Sequence, residues 1–293
     1  MADTKVIVNC GLFAKEIEQC GVKHYKLYAN YSFFSFWVGK FFRKFHINKF
    51  SNINPELDAL NADCIIVFDS GISDTFILER LAKKYAEKKL IFYYWNPVFT
   101  SINPNKIPLK FEKWSYSPTD CEVYGMKYNS TFYFKSFIKE PSQIKRDVFF
   151  IGKDKGRKRI LDKIKKSFDL EGVSSTFYLT ANHPRFSGKK YRKAISYDRV
   201  LDYVNESKAV LDYYVNPQAG LSLRAMESLF LGKKLISNNK NLVNYDFYNE
   251  KNVYQLDFLK NKSLKDFLAS SIVHINPQIR DRYLFGNWIN RFV

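Results

Sequence analysis

The sequence predicts an α/β protein made of two parallel-sheet halves that face one another across a cleft. Three observations carry that expectation. Short apolar runs alternate with helical patterns along the chain, as in successive βαβ units. The run Asp63-Cys-Ile-Ile-Val-Phe68 is almost wholly apolar, as a strand buried on both faces of a parallel sheet must be. The alternation also begins twice, once at the amino end and again after the polar, Pro-containing stretch Glu140-Pro-Ser-Gln143.

Taken in order, Lys5–Cys10 is a first strand with Gly11 after it, and Asp63–Phe68 a second. A helix is expected from about Thr75 to Lys88, with Phe76, Leu78, Leu81 and Tyr85 inward. Lys89–Tyr94 is a strand that Trp95-Asn96-Pro97 stops. Asn103-Pro104 and Pro108 punctuate a loop before an aromatic region from Trp114 to Phe134. Past the linker come a strand at Val148–Ile151, a helix carrying Ile160, Leu161, Ile164 and Phe168, and a strand at Ser175–Leu179. A loop with His183-Pro184, a strand at Ala209–Val215 and a helix after Gly220 follow. The chain from about Leu264 reads as helical, with Trp288 and Phe292 packing back on the body. The expected domains are therefore 1–140 and 145–270, with a C-terminal helix over 271–293.

Composition narrows the class. At 293 residues with 46% hydrophobic content the chain can bury two ordinary cores, which excludes wholesale disorder. The start lacks a signal-peptide core, and no run of about 18 apolar residues is present to span a bilayer. Cys10, Cys20, Cys64 and Cys121 are scattered without metal-type spacing, and read as thiols of a reducing cytosol.

The most informative segment is Gly220-Leu-Ser-Leu-Arg-Ala-Met-Glu227, continued through Gly232 to Leu235-Ile236. Leu223, Met226, Leu229 and Phe230 recur at helical spacing, and Gly232 sits where a helix C′ residue would. Backbone N–H groups after Gly220 suit an anion, and Arg224 one turn in can neutralise a phosphate. Glu227, a turn further, can accept hydrogen bonds from ribose hydroxyls. A second feature is the strand Asp147–Gly152 running into Lys153-Asp-Lys-Gly-Arg157. There Gly152 and Gly156 permit close backbone approach, and Arg157 offers a forked donor to phosphate. The run lacks the Gly-Lys-Ser/Thr ending of a Walker loop.

These segments resemble the donor-binding elements of GT-B fold glycosyltransferases. The resemblance implies two Rossmann-like domains, a ribose-binding role for Glu227 and a turn role for Gly232. It also places Lys153 and Arg157 against the donor diphosphate. It departs at Ala219, where many retaining members carry an earlier Glu. The ordered pieces Tyr94-Trp95-Asn96, Ser117–Cys121, Tyr128-Asn129 and Gly220–Glu227 resemble bacterial surface-polysaccharide transferases, most of all lipopolysaccharide core enzymes of the rhamnose-adding type. The partners this implies are a nucleotide-diphosphate sugar and an anionic glycolipid acceptor at the cytoplasmic surface of the inner membrane.

Sugar transfer needs a base for the acceptor hydroxyl and charge stabilisation for the departing diphosphate. Lys153, Arg157 and Arg224 answer the second need. The chain has no Asp-x-Asp, so a metal-independent reaction with no cofactor is expected. Asp69, at the carboxyl end of a first-domain strand, is the candidate base; a turn or N-cap role is its competing reading. His24 and His46 are rivals, and His183 belongs to the donor half.

The formal charge of +18 admits nucleic acid, acidic glycolipid or a membrane surface as partner. Wound as a helix, Phe34, Trp37, Val38, Phe41, Phe42 and Phe45 share a face. Lys40 and Arg43 fall opposite, with Lys44 on the flank, the pattern of an interfacial membrane element. A Phe-rich core helix is the competing reading. No zinc spacing, helix-turn-helix or RNP-like strand supports nucleic acid. The expectation is a cytoplasmic glycosyltransferase held peripherally at the inner membrane. A non-catalytic binding protein of the same fold and a nucleotide-sugar epimerase remain open alternatives.

Overall fold

The computed structural model describes residues 4–29, 53–72, 75–182, 190–215, 220–256 and 263–292. The chain divides into two compact units, Met1–Asn129 and Ser130–Val293. Each is a parallel sheet with helices, the α/β class the alternation predicts.

The first unit holds β1 (Lys5–Val8), β2 (Lys23–Tyr25), β3 (Cys64–Phe68), β4 (Lys89–Tyr94), β5 (Phe111–Ser115) and β6 (Lys127–Tyr128). They form one sheet in the order β2-β1-β3-β4-β5-β6, every pairing parallel. Burial follows position. All five residues of the central β3 are buried, whereas the two residues of edge strand β6 are exposed. Helix α1 spans Ala14–Gln19 and α2 spans Phe76–Lys84, which turns Ile77, Leu78 and Leu81 inward. Tyr85 leaves that helix early, and its hydroxyl donates to Leu57 O and accepts from Leu60 N, each at 2.9 Å. Helix α3 (Pro118–Tyr124) opens with Ser117 as its cap, accepting from Asp120 N. One core joins Val6, Val8, Ile65, Val67, Leu78, Leu81, Leu90 and Phe92.

The second unit holds β7 (Arg146–Lys153), β8 (Ser175–Thr180), β9 (Ser207–Asp212), β10 (Lys234–Ser237) and β11 (Val253–Gln255). Their order is β11-β10-β9-β7-β8, again all parallel. Helices α4 (Lys158–Leu170), α5 (Tyr197–Asn205) and α6 (Leu223–Phe230) connect them. Leu161, Ile164 and Phe168 of α4 pack with Val148, Phe150, Leu211 and Ile236. Gly232 follows α6 with φ +61°, the left-handed turn that lets β10 begin at once.

The C-terminal segment is three short helices, α7 (Leu264–Ala269), α8 (Pro277–Asp281) and α9 (Phe285–Ile289). Trp288 of α9 is fully buried, lies 4.3 Å from Phe132 between ring centroids and donates its Nε1–H to Ser130 O at 2.7 Å. Phe285 packs on Phe132 and Phe134. This aromatic cluster draws residues from Ser130 onward into the second unit, so the division falls ahead of the expected Glu140–Gln143 linker.

In each sheet the strand order reverses once, between β1 and β3 and between β7 and β9. Ligands of doubly wound sheets bind beyond the strand carboxyl ends at such reversals.

Candidate functional site

At the second reversal, β7 ends in Gly152-Lys153, and a turn with Lys155 at φ +48° and Gly156 at φ +80° leads to α4. The Arg157 side chain folds back over β7. Its Nε and Nη2 donate to Lys153 O at 3.2 and 2.9 Å, and Nη1 donates to Tyr213 O at 2.6 Å. The guanidinium also lies 5.1 Å from the Phe150 ring centroid. A Cβ on Gly152 would come within 2.5 Å of Arg157 Nη2, so a larger residue there would push the guanidinium from this position.

Asp212 closes β9 and is fully buried. It accepts from Arg224 Nε at 2.9 Å and from Ser222 Oγ at 2.6 Å. Ser222 in turn caps α6, accepting from Arg224 N at 3.1 Å and Ala225 N at 3.3 Å. Arg224 Nη1 reaches across to Ile151 O of β7 at 3.0 Å. One buried carboxylate therefore fixes both the helix start and the arginine.

The charges here do not cancel. Lys153, Lys155, Arg157 and Arg224 gather around Asp154 and Asp212. Asp154 is engaged with Lys158 N and the Tyr191 hydroxyl, both at 2.7 Å. Burial, then the Arg224 charge, pulls Arg157 down to about 10. Burial and the charges of Arg157, Arg224 and Lys153 pull Lys155 down as well. Lys153 and Lys155 are exposed, and no carboxylate pairs with either among the described residues. An anion placed here would relieve the crowding.

Glu227, one turn beyond Arg224, is buried. Its Oε1 accepts from the Tyr197 hydroxyl at 3.0 Å, while Oε2 has no hydrogen-bond partner among the described residues. Burial pushes its carboxyl from 4.5 up to about 7, against the pull of Arg224 and Tyr197. A raised carboxyl binds its proton more tightly when folded. Its contribution to stability is therefore full below about pH 4.5 and is lost as pH rises through about 7. At about 1.4 kcal/mol per pKa unit the loss is on the order of 3 kcal/mol. Urea unfolding at pH 5 and pH 8 should show this loss in the wild type and a smaller one in Glu227→Gln. Equal pH dependence in the two proteins would contradict it.

At the first reversal, Asp69 follows β3 and is buried. Its Oδ1 accepts from Trp95 N at 3.0 Å and Asn96 Nδ2 at 3.2 Å, and its Oδ2 from Asn96 N at 3.3 Å. Burial raises it to about 6, with the Trp95 and Asn96 bonds opposing the rise. Beside it, Asn9 adopts φ +74°, rare for a residue with a side chain, and its amide donates to Phe68 O at 3.1 Å and to Ser70 O. His24 Nε2 accepts from Cys10 N at 3.1 Å, and burial lowers its pKa, so it sits here as a neutral ring serving the backbone.

Each unit thus brings its expected residues to the strand ends. Gly152, Lys153, Arg157, Arg224 and Glu227 meet in the second unit, and Gly220 is buried just before Leu221. Arg157 differs from the expected open fork, because three of its donors are engaged by carbonyls. Phe34, Trp37, Lys40, Phe41, Arg43 and Lys44 lie outside the described residues, as do His46, His183 and Ala219. Asp212, Ser222 and Tyr197 escape the sequence reading. An acidic residue closing the apolar run Ala209-Val-Leu211 is the signal that points to Asp212. A cavity of about 270 Å³ lined by Leu235, Val253 and Arg280 lies at the amino ends of β10 and β11.

No protein-family model matches the chain, and no curated protein matches it in sequence. Among solved structures, it is similar to the glycotransferase of kitacinnamycin, with 8% identity, 95% of this chain and 92% of that one covered, and a TM-score of 0.45. It is similar to MurG of Acinetobacter baumannii, with 8% identity, coverage of 99% and 95%, and a TM-score of 0.41. It is also similar to the calicheamicin glycosyltransferase CalG4, with 9% identity, coverage of 97% and 92%, and a TM-score of 0.39.

Proposed function

We propose that the chain is a glycosyltransferase of GT-B type that takes a sugar from a nucleoside-diphosphate donor. The observation that carries this reading is the uncancelled group of Lys153, Lys155, Arg157 and Arg224 at the second sheet's reversal. Glu227 lies one helical turn away. Such an arrangement offers charge to a diphosphate that departs in the transition state. Arg157 from a buried position and Arg224 from a half-buried one supply fixed positive charge, and the exposed Lys153 and Lys155 supply contacts.

Asp69 is the proposed base for the acceptor hydroxyl, in the first unit. A carboxyl near 6 is largely ionised at neutral pH and can still take a proton. For the acceptor we propose a bacterial surface glycan, with the lipopolysaccharide core and rhamnose transfer as the specific form. The resemblance of Tyr94–Asn96, Ser117–Cys121 and Gly220–Glu227 supports that form, and so does the +18 charge, which suits an anionic glycolipid. We further propose peripheral association with the membrane surface. No helix among the described residues is long and apolar enough to cross a membrane.

A thermal-shift screen with UDP, dTDP, GDP, CMP and ADP tests the donor site. One diphosphate should stabilise the protein, and Lys153→Ala with Lys155→Ala should together weaken it by roughly 10- to 30-fold, since each exposed charge contact contributes up to about 1 kcal/mol and every 1.4 kcal/mol is tenfold. Both side chains are exposed, so the unfolding midpoint without ligand should not move. Absence of any nucleotide effect would sink the reading.

A further inference from the structure

We propose that the cavity at the amino ends of β10 and β11 is a second ligand site, which takes a small monoanion with an apolar body, such as a medium-chain carboxylate. None of the residues proposed to hold the donor lines it, so the inference stands apart from that reading.

The cavity lies within the second unit. The carboxyl end of α6, the starts of β10 and β11, the segment Ser271–Asn276 and Arg280 of α8 line it. Leu229, Leu231, Leu235, Val253, Ile272 and Ile275 give it a mainly apolar wall. Ile272 and Ile275 are only half-buried, so an apolar ligand would remove more of their surface from water. Their segment has no regular structure, yet it is anchored. Val273 N donates to Asn252 Oδ1 at 2.8 Å, and Asn252 Nδ2 donates to Val273 O at 2.6 Å. This reciprocal pair ties the segment to the start of β11, so the wall is formed before a ligand arrives and binding orders little.

The charge around the cavity has one sign. Its titratable side chains are Lys139, Lys233, His274 and Arg280, and no carboxylate lines it. Lys139 is already matched by Asp198 and Asp202, at 2.8 and 2.5 Å. Lys233 has no carboxylate partner among the described residues. Its Nζ donates to Asn205 O at 2.5 Å, and burial pulls its pKa down. Arg280 Nε is buried without a hydrogen-bond partner among the described residues, with the Asp281 carboxylate 3.8 Å away. A neutral apolar molecule would leave Lys233 and Arg280 unmet, and an anion without a body would leave Ile272 and Ile275 wet. A ligand that joins both features answers both. Since a cavity of about 150 Å³ holds benzene, 270 Å³ suits a chain of roughly eight carbons.

Calorimetric titration of the full chain with the carboxylates from butanoate to octanoate, and with 1-octanol, tests this. Affinity should rise about fourfold with each added methylene. Octanoate should bind at least about tenfold more tightly than 1-octanol, as expected for a charge-assisted contact. Arg280→Met keeps the apolar reach and removes the charge. It should weaken octanoate about tenfold and leave 1-octanol within about twofold. Ile272→Trp places bulk in the cavity and should abolish binding of both, while the affinity for any nucleotide stays within about twofold of wild type. Cooperative unfolding in urea shows that the variants are folded; should Ile272→Trp not fold, the chain-length series and Arg280→Met decide. Absence of octanoate binding overturns the inference, as does equal affinity for octanoate and 1-octanol. So does an octanoate affinity unchanged in Arg280→Met, or unchanged in a folded Ile272→Trp, which would place the ligand elsewhere. If octanoate behaves as stated while no nucleotide binds, the donor reading falls and this site stands.

Discussion

Asp212→Ala is expected to destabilise the protein by about 3–5 kcal/mol, the range for removing one partner of a buried ion pair. Asp212 is fully buried, and it holds Arg224 and the Ser222 cap at once. Its loss leaves Arg224 without its hydrogen-bonded carboxylate at the end of β9, beside Arg157. The start of α6 also loses the bond that orients its cap. Chemical denaturation measures the effect, and Asp212→Asn should fall between the two, because an amide retains one acceptor oxygen. Nucleotide affinity should drop in the alanine variant even where it is still folded, since the arginine is no longer aimed. A loss below about 1 kcal/mol with unchanged affinity would mean that Arg224 is held by Ile151 O and packing alone.

The second large effect concerns Asp69. Asp69→Asn should lower sugar transfer by about 10²- to 10⁴-fold, the usual contribution of a general base. Donor affinity should stay close to wild type, because the substitution lies in the other unit. The rate of the wild type should rise with pH through about 6 as the carboxyl ionises. Asn96→Ala tests the competing role. Asp69 receives the backbone N–H groups of Trp95 and Asn96 as well as the Asn96 amide, so it also shapes that turn. Removing the amide takes away bonds to the ionised form, so the pH limb should move upward if Asp69 is the base. If the limb stays in place while the rate falls, Asp69 acts through the turn and another group takes the proton.

Much of this arrangement is legible in the sequence because burial writes itself into residue choice. The central strands β3 and β4 are nearly continuous apolar runs, and α4 and α6 repeat their apolar residues at helical spacing. The elements that escape are those with little burial to record. β2 is a three-residue edge strand of Lys, His and Tyr, and β6 is two exposed residues. The position of the unit boundary is hidden for another reason. It depends on Trp288 meeting Ser130 and Phe132, a pairing far apart in sequence that no local pattern encodes.

The site shows the same division. Arg224 and Glu227 share one helix, so their spacing alone places them together. Arg157 is visible as a basic residue near a glycine, but whether its fork faces a ligand or a carbonyl depends on β9, far along the chain. Tyr197 reaches Glu227 from a different helix, and its isolated position offers no motif. Asp212 is the instructive case, since an acid at the end of an apolar strand needs a partner and the chain supplies one at Arg224.

The most direct test of the donor site is hydrogen–deuterium exchange with and without the nucleotide selected by the screen. Backbone amides of Gly152–Lys158 and Leu221–Glu227 should exchange more slowly when it is bound, because they flank the charged group at the second reversal. Amides of Asn9–Gly11 and Asp69–Gly71 should change far less in the absence of acceptor. Protection confined to the first unit, or none in either segment of the second, would contradict the assignment.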